Sequence, residues 1–110
     1  MSYVLERGDI VWLTFDPQAG HEQAGHRPAL VLSPSAYNGR RGLILCCPIT
    51  SQVKGYPFGV VIAENPDAKG AVLVDQIKCL DLRARKAKKK GKAGPQVVRE
   101  TLDKLSALLE

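Results

Sequence analysis

The chain has 110 residues, 45% apolar and 25% charged, with a formal net charge of +5 and a pI of about 9.3. That length holds one domain, residues 1–110, able to bury a modest core without disulfides. It contains no apolar run long enough to span a membrane and no signal-peptide layout at the N-terminus, so a cytoplasmic location and no membrane partner are expected.

Residues 8–15 alternate, with Ile10 and Trp12 on one face and Val11, Leu13 and Phe15 on the other, which predicts a first strand. Asp16-Pro17 ends it, and a polar stretch follows through His21, Glu22, Gln23 and His26. Its glycines and missing apolar anchors predict that residues 16–25 are mobile until a ligand or partner binds. Residues 27–33 form a second strand, apolar on both faces and therefore central, with Pro28 near its start, where no amide donor is needed. Asn38-Gly39, inside the connection 34–41, signals a turn.

A third apolar strand spans 42–49, and a second polar connection leads to a fourth strand at 58–62. A turn around Asn65-Pro66 introduces a fifth strand, residues 71–80. Part of the basic stretch 83–92 suits a short edge strand. Pro95 opens a C-terminal helix whose stripe is Val98, Thr101, Leu102, Leu105, Leu108 and Leu109. Short strands with one terminal helix make a mainly β fold, a small curved antiparallel sheet or barrel.

Chemistry concentrates at one end of this pattern. A turn centred on Asn38-Gly39 sets Arg27 across from Thr50, where the two polar connections also arrive. Eight of the sixteen basic residues fall between Lys78 and Lys92, with Asp81 the sole acid among them, which suits a polyanion such as nucleic acid. No GxxxxGK loop, GxSxG elbow or two-metal carboxylate pattern is present, and no metal or other cofactor is expected. Cys46, Cys47 and Cys79 read as reduced, apolar thiols.

Attack of an RNA 2′-hydroxyl on its own phosphate needs neither metal nor enzyme nucleophile. Arg27 suits the charge role, Thr50 can donate a hydrogen bond, and His26 or Glu22 can move protons. Tyr56 and Phe58 offer stacking faces. Plainer readings stand beside these: an ion-paired Arg27, a turn-forming Thr50, a structural His26, Tyr56 and Phe58 packed inward, and a solvated basic loop. Residue physics alone reaches a basic β-barrel with a polar rim that binds nucleic acid, and stops short of catalysis.

Gly8-Asp9-Ile10-Val11-Trp12, Phe15-Asp16-Pro17, Glu22-Gln23-Ala24-Gly25-His26-Arg27-Pro28, Pro48-Ile49-Thr50-Ser51, Lys54-Gly55-Tyr56-Pro57-Phe58 and Asp75-Gln76-Ile77-Lys78 together resemble the MazF/PemK family of toxin endoribonucleases. The resemblance implies a small SH3-like barrel of the CcdB/PemK kind, working as a homodimer. It implies metal-independent cleavage of single-stranded RNA to 2′,3′-cyclic phosphate and 5′-hydroxyl ends, and a cognate MazE-like antitoxin with an acidic tail. It places the catalytic pair on Arg27 and Thr50, and links Glu22, His26, Lys54 and Gln76 to activity or RNA handling. Tyr56, Phe58, Lys78 and Arg85 complete the expected RNA surface. The alternative on the same barrel is a non-catalytic toxin that binds a protein such as DNA gyrase.

Overall fold

The alternation of the first strand builds two cores at once. In β1 (Asp9–Thr14), Val11 and Leu13 enter one buried cluster with Phe15, Ala29 and Ile44, while Ile10 enters a second with Leu30, Cys47 and Ile49. The computed structural model describes residues 4–15, 25–52, 55–62, 65 and 68–110. Within them β2 (His26–Val31) and β3 (Leu43–Thr50) are central, as their two-sided apolar pattern requires. Each fully buried Leu, Ile or Phe contributes about 1.5–3 kcal/mol, so these strands hold the sheet.

The connection between β2 and β3 is a helix, α1 (Ser35–Arg41), and not the expected Asn38-Gly39 turn. Tertiary partners decide this. Asn38 is 2% exposed, and its Nδ2 donates to the Leu5 carbonyl at 2.7 Å and the Ser33 carbonyl at 3.0 Å. The left-handed residue is Gly42 (φ 66), which closes the helix by donating to the Asn38 carbonyl at 3.1 Å. The register is nevertheless the one the turn implied. Ala29 pairs with Pro48, Leu30 with Cys47 and Val31 with Cys46. Carried two residues further, that register sets Arg27 across from Thr50.

The single fifth strand expected over 71–80 is two strands. β5 (Gly70–Leu73) pairs with β3 at Ile49 and Thr50, and with β4 (Gly59–Ile62) along its length. β6 (Lys78–Asp81) pairs with the first half of β3. Between Ile49↔Val72 and Cys46↔Lys78 the second chain carries more residues than β3. The 3-10 turn Val74–Gln76 takes up the excess and turns Asp75 outward. Interruptions of this kind re-aim side chains next to functional sites.

β7 (Lys88–Lys92) is the expected basic edge strand, antiparallel to β1. The sheet order is β4-β5-β3-β2-β1-β7, with β6 on β3. Among the described residues β4, β6 and β7 each pair on one side only, so the barrel is an open, curved sheet. α2 (Pro95–Leu109) covers one face through Val97, Val98, Leu102 and Leu105. Its apolar stripe stops there: Leu108 and Leu109 are 40% and 78% exposed, against the expectation that they face the core. The opposite face is covered by Leu5, Leu82 and Ala87.

Candidate active site

At the start of β2, Arg27 pairs with Leu13 and His26 with Thr14. Arg27 is half-buried, while His26 is exposed. The Thr14 hydroxyl and His26 Nδ1 lie 3.3 Å apart. The imidazole stacks on Trp12 with ring centroids 5.7 Å apart and planes 28° from parallel. These two contacts orient His26 from one strand, because Trp12 and Thr14 share a face of β1. The segment 16–24 lies outside the described residues. Its flanking residues are joined beside His26, where the Phe15 N–H donates to the Gly25 carbonyl at 2.9 Å.

A cavity of about 420 Å³ opens here, lined by Trp12, His26, Arg27, Ile49, Ser51 and Lys69 among others. Thr50 ends β3 between two of these lining residues. Its hydroxyl accepts from the Gln52 N–H at 3.2 Å, which leaves its own proton to donate elsewhere. Its backbone pairs with Ala71 of β5, and Gly70 makes that approach possible. Gly70 has φ +124, and a Cβ there would lie 1.8 Å from the Thr50 carbonyl oxygen. The cavity's own lining holds the Arg27 guanidinium, the His26 imidazole and Ser51, and such a concave site can hold a phosphodiester and neutralise charge that develops on it.

Tyr56 and Phe58 form a second group. Both are exposed, so the plainer expectation that they pack inward does not describe them. Their rings meet edge to face, with centroids 5.7 Å apart and an interplanar angle of 71°. The Tyr56 hydroxyl donates to Asp75 Oδ2. That bond, then burial and the carboxylate charge, raises the phenol pKa above its ordinary value. Lys104 of α2 secures the corner by donating to the Pro57 carbonyl at 3.2 Å and the Gly59 carbonyl at 2.8 Å. The corner lies at the end of β5 away from Thr50: Ala71 pairs with Thr50 and Leu73 with Gly59. Two strand residues, about 7 Å, separate those levels.

The remaining expected residues are more dispersed. Gln76 is half-buried in the 3-10 turn, and Lys78 is half-buried opposite Cys46. Arg85, also half-buried, joins the first group through its backbone: its carbonyl accepts the Thr14 N–H at 3.0 Å. Glu22 and Lys54 lie outside the described residues. Burial pushes the Cys46 and Cys47 thiols up to about 12, which makes them poor nucleophiles.

Trp12 is the residue that sequence reasoning passed over. It was placed on a strand face without a role, yet it is the surface His26 leans on. Its Nε1 is buried and has no hydrogen-bond partner among the described residues. The available signal was the only tryptophan of the chain, two positions from Thr14 on an alternating strand. Lys69, just before β5, and Ser51, beside Thr50 in the motif quoted above, also line the cavity.

Residues 6–109 match the family described as PemK-like, MazF-like toxin of type II toxin-antitoxin system. The chain belongs to this family. It is 48% identical to the endoribonuclease toxin MazF of Escherichia coli K12 over 107 residues, 97% of this chain and 96% of that protein. The crystal structure of MazF from Deinococcus radiodurans superposes with a TM-score of 0.93 at 51% identity, covering 98% of each chain. A MazE-MazF crystal structure from the same organism gives a TM-score of 0.87 at 51% identity, over 98% of this chain and 97% of the matched one. The mainly β architecture with its C-terminal helix is thus that of MazF. Among the described residues no helix of this MazF/PemK-family chain is long and apolar enough to cross a membrane.

Proposed function

We propose that this chain is the endoribonuclease toxin of a type II toxin-antitoxin system, cutting single-stranded RNA without a metal. The observation that carries the reading is the mouth where His26 and Arg27 line one cavity and Thr50 ends the adjacent strand. The RNA 2′-oxygen bonds to the neighbouring phosphorus as the bond from phosphorus to the 5′-oxygen breaks. The 2′-hydroxyl proton passes to a base, His26 or Glu22, and the departing 5′-oxygen takes a proton from solvent water. The products are a 2′,3′-cyclic phosphate and a 5′-hydroxyl.

Arg27 keeps its proton throughout and serves as the fork that stabilises the phosphoryl oxygens. The Thr50 hydroxyl adds a neutral donor. Tyr56 and Phe58 present exposed rings to bases, while Lys54, Gln76, Lys78 and Arg85 hold the strand. The protein works as a cytoplasmic homodimer. Its partner is a MazE-like antitoxin with an acidic tail, in keeping with the charge of +5 and with the likeness to MazF in a MazE-MazF complex.

The test is incubation of the purified chain with single-stranded RNA in EDTA. Fragments with cyclic-phosphate ends that disappear with Arg27→Ala support the reading. RNA left intact by the antitoxin-free parent rejects it.

A further inference from the structure

A second concavity lies at the opposite end of the β2–β3 ladder. It measures about 760 Å³ and is lined by Val4, Leu5, Arg41, Leu82, Arg83 and Lys89 among others. We infer that this groove is a distal RNA subsite, which holds the strand that continues past the cleavage position. The inference rests on the endoribonuclease reading and extends it beyond the mouth.

Charge comes first. Arg41 and Arg83 are exposed, and no carboxylate lies within ion-pair distance of either among the described residues. Lys89 shares Asp9 at 3.6 Å. The one acid of the lining, Asp81, is occupied by the fold: its Oδ1 accepts from the Arg83 N–H at 2.9 Å and the Ala84 N–H at 2.8 Å. The groove therefore presents two guanidinium groups to an anion, over an apolar floor of Leu5 and Leu82.

Continuity with the mouth selects the occupant. The Leu82 N–H donates to the Gly42 carbonyl at 3.0 Å, next to Arg41. Three residues on, the Arg85 carbonyl accepts the Thr14 N–H at 3.0 Å, and Thr14 contacts His26. A single short turn thus carries basic residues from the groove to the mouth. Three residues of chain reach at most about 11 Å, so the groove and the Thr14–His26 edge of the mouth are close neighbours. An RNA cut at an internal phosphate must leave the mouth in both directions, so the same strand can reach both ends of the turn.

The experiment uses RNA oligonucleotides built on the chain's own mapped cleavage sequence, with 2′-deoxyribose at the cleavage position. A short form is compared with forms extended by about six nucleotides on either side, within the footprint range of single-strand-binding folds. The parent should bind one extended form more tightly. Arg41→Ser/Arg83→Ser should abolish that gain and reduce the salt slope for the extended form by about 1.4, two contacts at about 0.7 each. Cleavage of the short ribose form should be unchanged, which also shows the double variant folds.

Equal affinity of the parent for short and extended forms overturns the subsite while leaving the cleavage reading intact. So does equal weakening of both forms in the double variant. A double variant that keeps the length gain but loses affinity for a poly-glutamate peptide assigns the groove to an acidic peptide and also overturns it. A parent that neither cuts nor binds any RNA overturns the function and the subsite together.

Discussion

Gly70 touches the backbone of Thr50 so closely that any side chain would collide with it: a Cβ would lie 1.8 Å from the Thr50 carbonyl oxygen. The contact is made at φ +124, a conformation other residues rarely adopt. Gly70→Ala should cost about 3 kcal/mol, from backbone strain and the forced separation of β5 from β3. It should also lower RNA cleavage by displacing Thr50. Urea melts and cleavage assays of the soluble variant check this. A parent-like midpoint would mean that the strands separate without cost.

The stack of His26 on Trp12 gives a second expectation. Trp12→Leu removes the aromatic surface and should lower kcat/KM for RNA by about 2–10-fold, the equivalent of a ring-pair energy of 0.5–1.5 kcal/mol. Trp12→Phe keeps a ring and should recover most of that loss. If both variants are equally impaired, the indole matters for some reason other than stacking.

Arg27→Lys preserves the charge but replaces a planar fork by a point donor. Cleavage should fall by about 10²–10³-fold, the range seen when one aligned transition-state donor is lost. The melting temperature should stay near that of the parent, because the residue is only half-buried. Single-turnover rates at saturating RNA separate this from weakened binding.

Two buried thiols predict an alkaline limit. Cys46 and Cys47 are pushed from 9.0 to about 12 in the folded chain, chiefly by burial. The unfolded chain releases those protons once the pH passes about 9, while the folded chain retains them. Folding stability should therefore decline as pH rises from about 9 towards 12. Denaturant midpoints across that window measure it, and Cys46→Ala/Cys47→Ala should flatten the curve. At lower pH, alkylation should label Cys79 alone in the native state and all three thiols after unfolding.

The raised phenol of Tyr56 has the same sign. Its bond to Asp75 favours the protonated form, so the stability it adds is present below the ordinary pKa of 10.0 and lost as pH rises through the folded value. Asp75→Asn should move the Tyr56 component of an ultraviolet tyrosinate titration back towards its ordinary value, while Tyr37, raised chiefly by its bond to Cys79, still titrates late. A titration unchanged by Asp75→Asn would mean that the Asp75 bond does not form in solution.

Local pattern was sufficient where one physical term dominated. The two-sided burial of β2 and β3, the edge position of β7 and the opening of α2 at Pro95 follow from apolar periodicity, lysine placement and proline geometry. The β2–β3 register, which brings Arg27 and Thr50 to the same end of the sheet, was also legible, because antiparallel register depends on the midpoint of the connection and not on its conformation. Asn38 shows the limit. Its turn propensity is real, but the partners that bury it, Leu5 and Ser33, come from other segments and favour a helix. Leu108 and Leu109 keep helical periodicity after the core they would face has ended.

By itself the sequence determined a basic, mainly β domain of this toxin family, and the end of the sheet at which its polar chemistry gathers. These are properties of composition, of strand periodicity and of a long local motif. Only the tertiary structure decided that residues 71–80 divide around a 3-10 turn, that Trp12 supports His26, and that the basic turn links two separate concavities. Each of those depends on which strand β3 pairs with at each end and on contacts between residues far apart in the chain. Through-space matching of backbone donors and side-chain volumes sets them, and no local window of sequence contains both partners.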